Sequence, residues 1–202
     1  LMNQPQTVAD GIKAMRDAVD IPVTIKFRMG VDDDIMTFIE TGLIGEDEGC
    51  AAIALHARTA EQLYSGHARW HAIGELKQAV TSIPVLGNGD IWEPADALAM
   101  MRETDCDGVV IGRGCLGRPW LFSALAAAFD GQPLPELPSF AVVSQIMLRH
   151  AEMLVDWYGN EGALRQFRKH ALWYLMGFPI GGDMRNQFAR FTTLAELREL
   201  VE

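Results

Sequence analysis

Four short stretches of this chain hold the residues able to do chemistry. Lys26 stands inside the apolar run IPVTIKF, two residues before Arg28. A lysine there is costly to bury alone, so either a ligand carries the matching charge or the side chain snorkels to the strand's end. His56 and Arg58 are alternate residues and share one side of a strand terminus in LHART. The imidazole can donate to a phosphate oxygen, or settle on a backbone carbonyl. The guanidinium offers a planar fork for a carbonyl or a phosphate. Gly87-Asn88-Gly89-Asp90 and Gly112-Arg113-Gly114 complete the set. Glycines let backbone N–H groups come close to an anion, and Arg113 adds a charge that matches phosphate. Asp90 either caps the following turn or accepts from a sugar-chain hydroxyl. Each glycine stretch alone is an ordinary turn; side by side the two form one phosphate pocket.

Nucleophilic chemistry finds less support. Cys115 lies near the pocket mouth, but it occupies a small-residue position beside glycines, where cysteine is ordinarily structural. Cys50 opens a strand-like run and Cys106 just precedes one, and both read as structural. The three cysteines have no C-x-x-C spacing, so neither a disulfide frame nor a metal site is expected.

Something must hold these stretches together. Four nearly continuous apolar runs, IPVTIKF, AAIALH, IPVLG and GVVIG, start about thirty residues apart, the length of one strand-plus-helix unit. Helical patterns lie between them, and Pro94 suits the first turn of one. Such alternation predicts a parallel sheet. Every strand ends at its carboxyl end in polar or glycine chemistry, which is where a (β/α)8 barrel keeps its active site. The fold class expected is therefore α/β, the second half of a TIM barrel over residues 1–130. A proline-rich linker, 131–138, precedes a small all-helical domain, 139–202, with Thr193 able to cap its last helix.

Composition narrows the classes. Hydrophobic residues make up 49% of the 202, enough for a globular core. No apolar run reaches the ~20 residues of a membrane span, and the first residues do not resemble a signal peptide, so a cytoplasmic protein away from membranes is expected. The net charge of −10 lies entirely in residues 1–138, with 10 basic against 20 acidic side chains; residues 139–202 balance 7 against 7. That balance argues against nonspecific nucleic-acid binding but leaves room for a local basic face. Arg165, Arg168 and Lys169 fall at i, i+3 and i+4, on one side of a helix: either an RNA-facing surface or an ordinary solvated one.

Taken in order, VTIKFRMG, LHARTAEQLYSGHARW, IPVLGNGDI and DGVVIGRGCLGRPWLF resemble the successive strand motifs of the tRNA-dihydrouridine synthases. RKHALWYLMGFP and MRNQF with TLAEL resemble that family's tRNA-binding helical domain. The resemblance implies an FMN enzyme that reduces the uridine C5=C6 bond in tRNA, with NADPH restoring the flavin. It assigns Lys26, His56, Arg58, Asn88, Gly89, Asp90, Gly112 and Arg113 to FMN, with Arg58 holding either FMN or the substrate uracil. Arg58, Arg165, Arg168 and Lys169 are the candidate tRNA contacts. Ala57 stands where the family commonly has glycine.

The resemblance also implies an absence. The family's proton donor is a cysteine in an NxGCP-like loop, and an APM-like stretch touches FMN earlier still; neither occurs in this sequence, so no catalytic acid is assigned. The expectation is a chain that lacks the first half of the barrel, does not reduce uridine by itself and self-associates through open sheet edges. Two further readings compete. One is another FMN barrel of the dihydroorotate dehydrogenase type, which would lack the helical tail. The other is a non-catalytic truncated paralogue that binds tRNA or a protein.

Overall fold

The computed structural model describes residues 4–159 and 161–202. By internal contacts the chain divides into two compact units, Leu1–Gly114 and Cys115–Glu202.

The first unit runs α1 (Pro5–Ala18), β1 (Thr24–Arg28), α2 (Phe38–Asp47), β2 (Ala52–His56), α3 (His71–Ala79), β3 (Val85–Asn88), α4 (Pro94–Thr104) and β4 (Gly108–Val110). The four strands form one parallel sheet in sequential order, with β1 and β4 at the edges. This is the expected α/β alternation. The register places Arg28 beside His56, His56 beside Asn88 and Asn88 beside Val110. Partners in a parallel ladder point to the same face. One row of side chains therefore crosses all four strands at their carboxyl ends.

The opposite face carries the helices. Gly45 of α2 lies against Ile25 and Ile53, and Gly87 of β3 lies under Met100 of α4 and Ile73 of α3. Buried Ile53, Leu55, Ile73, Leu76, Val85 and Met100 form the core between sheet and helices. Each such side chain contributes about 1.5–3 kcal/mol on leaving water. Pro94 starts α4 at its first turn, as expected. The Glu93 and Asp96 side chains bond each other's backbone N–H groups there, which satisfies two donors that have no helical partner. Two strands begin later than their apolar runs, because Ile21-Pro22 and Ile83-Pro84 precede the paired residues and proline has no N–H to give a ladder.

The second unit contains α5 (Leu121–Phe129), α6 (Phe140–Tyr158), α7 (Leu164–Tyr174), α8 (Gly182–Phe188) and α9 (Leu194–Val201). Residues 132–139 have no regular secondary structure, as three prolines in ten residues would dictate. Val143, Met147 and Ala151 of α6 meet Leu164, Phe167, Ala171 and Tyr174 of α7, with Phe188, Phe191 and Leu197 closing the core. These positions recur every three or four residues, the period that puts them on one helix face. Ser139 caps α6, Gly159 ends it in the left-handed conformation, and Thr193 with Glu196 forms a capping box on α9.

Candidate functional site

Strand β3 ends in GNGD for several separate reasons. Gly87 lies on the helix side, and the Met100 and Cys106 sulfur atoms occupy the space where a Cβ would go. Its role is packing. Asn88 is buried on the other face and donates its amide to Val110 O at 2.6 Å, tying β3 to β4 beyond the backbone ladder. Gly89 has φ +129°, and a Cβ there would meet Ala68 at 2.6 Å, so both conformation and space call for glycine. Asp90 follows with φ +54°.

Asp90 turns its carboxylate toward Arg58. Arg58 Nη2 donates to both carboxylate oxygens at 2.8 and 2.9 Å, and the Ala68 N–H donates at 2.7 Å. Arg58 Nη2 also donates to Gly66 O at 2.7 Å, and Nε to Ser65 O at 3.3 Å. The Arg58 side chain is only 1% exposed, against 18% for Asp90. Burial works to raise the Asp90 pKa, but the Ala68 N–H, the Arg58 hydrogen bond and the charges of Arg58 and Arg113 together hold it below the usual carboxylate value. One atom is left over: Arg58 Nη1 is buried with no hydrogen-bond partner. A buried unmet donor costs about 1–3 kcal/mol, and more when charged.

Arg113 reaches Asp90 from the other side at 3.5 Å. Its guanidinium lies 4.4 Å from the Tyr64 ring centre and 5.4 Å from that of Trp92. Gly112 has open space where a Cβ would stand. Gly114 passes so close to the Ile91 carbonyl that no side chain fits between. Arg58, Asp90, Trp92, Asp96 and Arg113 and the loop from Tyr64 to Trp70 line an open pocket of about 510 Å³; Gly112 and Gly114 do not reach its wall. Trp70 closes part of its wall by donating its indole N–H to Gly89 O at 2.9 Å.

His56 is buried in the same row. Burial, then the charges of Arg28, Lys26, Arg58 and Arg113, push its pKa from 6.5 down to about 4, so the imidazole is neutral at pH 7. The ring lies 6.4 Å from that of Tyr64. Lys26 points to the same face two residues before Arg28, with no hydrogen bond or ion pair among the described residues. The side chain as a whole is exposed rather than buried, and partial desolvation first and Arg28 second lower its pKa. Lys26 and Arg28 also line a groove of about 590 Å³ between α1 and β1.

Lys26, His56, Arg58, Asn88, Gly89, Asp90 and Arg113 therefore come together, and Gly112 adjoins them. Two further residues belong to the group. Arg28 donates to Thr59 O at 2.6 Å and Leu63 O at 2.9 Å, and its guanidinium stands 5.6 Å from the Tyr64 ring centre. Arg28 was legible from its i+2 spacing to Lys26. Tyr64 was not, because it arrives on a loop that no periodicity governs.

The candidate RNA-facing residues lie on α7 of the second unit. Arg165 and Lys169 are exposed. Arg168 is half-buried and donates to Phe191 O at 2.9 Å and Arg190 O at 2.8 Å, holding the turn after α8. Cys50 and Cys106 are buried, and Cys106 donates its thiol to Gly108 O. Among the described residues no group of three or more His, Cys, Asp or Glu side chains is placed to hold a metal, and no helix is long and apolar enough to cross a membrane.

Electrostatically the site sets a cation cluster against Asp90, while a second carboxylate on the pocket wall, Asp96, is occupied by the Trp92 and Glu93 N–H groups. Lys26, Arg28, Arg58 and Arg113 all act on His56, and Asp90 answers only part of their charge. An orphaned Arg58 N–H and an unpaired Lys26 ammonium suit an anionic ligand with acceptor oxygens. A phosphate-bearing cofactor fits this donor set.

A parallel α/β sheet with anion-binding chemistry at its carboxyl ends defines a class shared by many enzymes. The particular family comes from comparison: the chain belongs to the dihydrouridine synthase family, whose model matches residues 1–202. A probable tRNA-dihydrouridine synthase of Mycobacterium leprae (strain TN) is 55% identical over 192 residues, covering 95% of this chain and 50% of that protein. A protein of the same description from Mycobacterium tuberculosis (strain CDC 1551 / Oshkosh) is 53% identical over 197 residues, 98% of this chain and 50% of its own length. The tRNA-dihydrouridine synthase B of Proteus vulgaris is 38% identical over 203 residues, with 100% of this chain and 62% of that protein covered. The chain thus spans about half the length of the mycobacterial relatives it matches.

Proposed function

We propose that these residues form the cofactor-binding part of a cytoplasmic tRNA-dihydrouridine synthase, which reduces the C5=C6 bond of a uridine in tRNA with FMN and NADPH. The sheet is read as the second half of a (β/α)8 barrel, residues 1–130, joined through 131–138 to a tRNA-binding helical domain, 139–202. The sequential strand order with α2, α3 and α4 on one face supports the barrel reading, since right-handed crossovers in a barrel put every helix outside. The relatives' names support the substrate.

The observation that carries the reading is the cation cluster at the strand ends. Gly112 and Arg113 hold the phosphate arm, with Asn88 to Asp90 beside them. Arg58 Nη1 supplies a buried donor to an acceptor oxygen. Lys26 offers an ammonium to the part of the ligand that becomes negative, the interaction that most often lowers a reaction barrier. Neutral His56 donates a hydrogen bond without adding charge. FMN, when bound there, supplies the hydride. The side chains of this chain bind, orient and balance charge; Cys50 and Cys106 have no chemical role in the reading.

Titration of the protein with FMN, followed by flavin fluorescence, tests this. Arg113→Ala removes a charge-assisted contact and should weaken binding by about 1.5–3 kcal/mol, roughly 10- to 150-fold. Lys26→Ala should also weaken it. Unchanged FMN affinity in both variants would overturn the assignment.

A further inference from the structure

Helix α6 buries one apolar face in the core and presents a second, mixed face beside it. Val143, Met147 and Ala151 are fully buried against α7 and its neighbours. Val142, Ile146, Arg149 and Met153 recur at helical spacing along that face; Ile146 leans on the core, while Val142 and Met153 are apolar where a surface helix would ordinarily be polar. Val142 is 45% exposed and Met153 55% exposed. They form one wall of a groove of about 570 Å³ in the second unit, with His150, His170 and Tyr174 also lining it. Its far wall comes from the segment Cys115–Pro119. The volume is in the range of small-ligand sites.

The polar chemistry of this groove is specific. His150 Nδ1 lies 3.1 Å from the Tyr174 hydroxyl, and its ring meets those of Phe167 and His170 edge-on at 4.9 and 5.2 Å. His170 in turn meets Trp173 edge-on at 4.9 Å. Burial lowers the pKa of both imidazoles, which keeps them uncharged at pH 7. Arg149 is exposed and makes no hydrogen bond or ion pair among the described residues. No aspartate or glutamate lines the groove. An open, mostly apolar groove bordered by His150, His170 and the largely buried Tyr174, with one unpaired guanidinium on its rim, is complementary to an aromatic group that carries an anion. A peptide anchor would need no such cation, and a free phosphate no such apolar wall.

We propose that this groove receives one unstacked nucleotide of the RNA substrate, its base between the α6 wall and the His170–Tyr174 floor and its phosphate on Arg149. This rests on the reading of the protein as a tRNA enzyme, and it gives that reading a second contact, separate from the strand-end site. Single-stranded RNA is commonly held in this way, with the base on aromatic or apolar side chains and an arginine on the backbone. Gln145 is one turn before Arg149 on the same wall and offers an amide to the base edge.

The test uses tRNA binding by the purified protein, measured by anisotropy at several salt concentrations. Val142→Trp fills the groove from its exposed rim and should weaken binding about 5- to 150-fold, the range for one lost base-stacking contact, with the salt slope unchanged. Arg149→Gln should weaken binding and reduce the slope by about one. Gln145→Glu, at an exposed position that leaves the core untouched, should weaken binding by setting a carboxylate beside the phosphate. If tRNA binds the unaltered chain and all three variants equally well, the groove proposal falls while the tRNA reading stands. If the unaltered chain does not bind tRNA, both fall.

Discussion

His56 should make the stability of this chain depend on pH between 7 and 5. The imidazole is held neutral in the folded state, with a pKa of about 4 against 6.5 for an unconstrained histidine. Below pH 6.5 the unfolded chain takes up a proton that the folded chain refuses. Stability from this group is therefore complete above pH 6.5 and is lost as pH falls toward 4. At pH 5 the unfolded histidine is almost fully protonated and the folded one about a tenth so, which corresponds to a loss of about 2 kcal/mol relative to pH 7. Urea unfolding at the two pH values measures it. His150 and His170 are also depressed by burial and add to the same slope, so the contribution of His56 is the difference between the unaltered chain and His56→Gln. The variant should lose about 2 kcal/mol less on acidification, and an NMR titration of the folded protein should place the His56 midpoint near 4. A midpoint near 6.5, or identical pH slopes for both proteins, would refute the claim that burial and the four neighbouring cations suppress its charge.

Other outcomes follow from individual contacts. Arg58→Met should destabilise the first unit by about 3 kcal/mol in urea unfolding, the lower end for breaking a buried ion pair, because Asp90 keeps the Ala68 N–H and Arg113. A loss under about 1 kcal/mol would mean the pair is not held as described. Asp90 works through the same pair at lower pH: its depressed pKa gives stability that is present above about pH 3.9 and lost below it, and Asp90→Asn should remove that acid limb. On α7, Arg168→Gln should cost about 1–2 kcal/mol by freeing the Phe191 and Arg190 carbonyls, with little change in the salt slope of tRNA binding. Arg165→Glu with Lys169→Glu should flatten that slope and leave stability nearly unchanged; the opposite pattern would make Arg168 the RNA contact and the other two bystanders.

What could be read from the sequence were features decided by near neighbours in the chain. Apolar runs separated by helical periods define a parallel α/β sheet, because the side-chain period of each element is local. Pro94 and Thr193 mark helix starts, because first-turn and cap residues act on backbone only a few positions away. The strand-end residues Lys26, His56, Asn88 and Arg113 were legible for the same reason, once parallel strands bring every carboxyl end to one edge. The tertiary structure decided which partner each side chain takes. Arg58 and Asp90 are 32 positions apart and meet only because β2 and β3 pair in a register that aligns His56 with Asn88. Gly87 and Gly89 look alike in the sequence, yet one yields space to Met100 and the other adopts a positive φ. Arg168, alike in charge to Arg165 and Lys169, is committed to two carbonyls more than twenty residues away. Val142 and Met153 of α6 are ordinary core by pattern, and only the packing shows that they line an open groove instead. Long-range pairing depends on strand register and helix docking, which arise from the summed burial of many side chains and leave no local mark on any one of them.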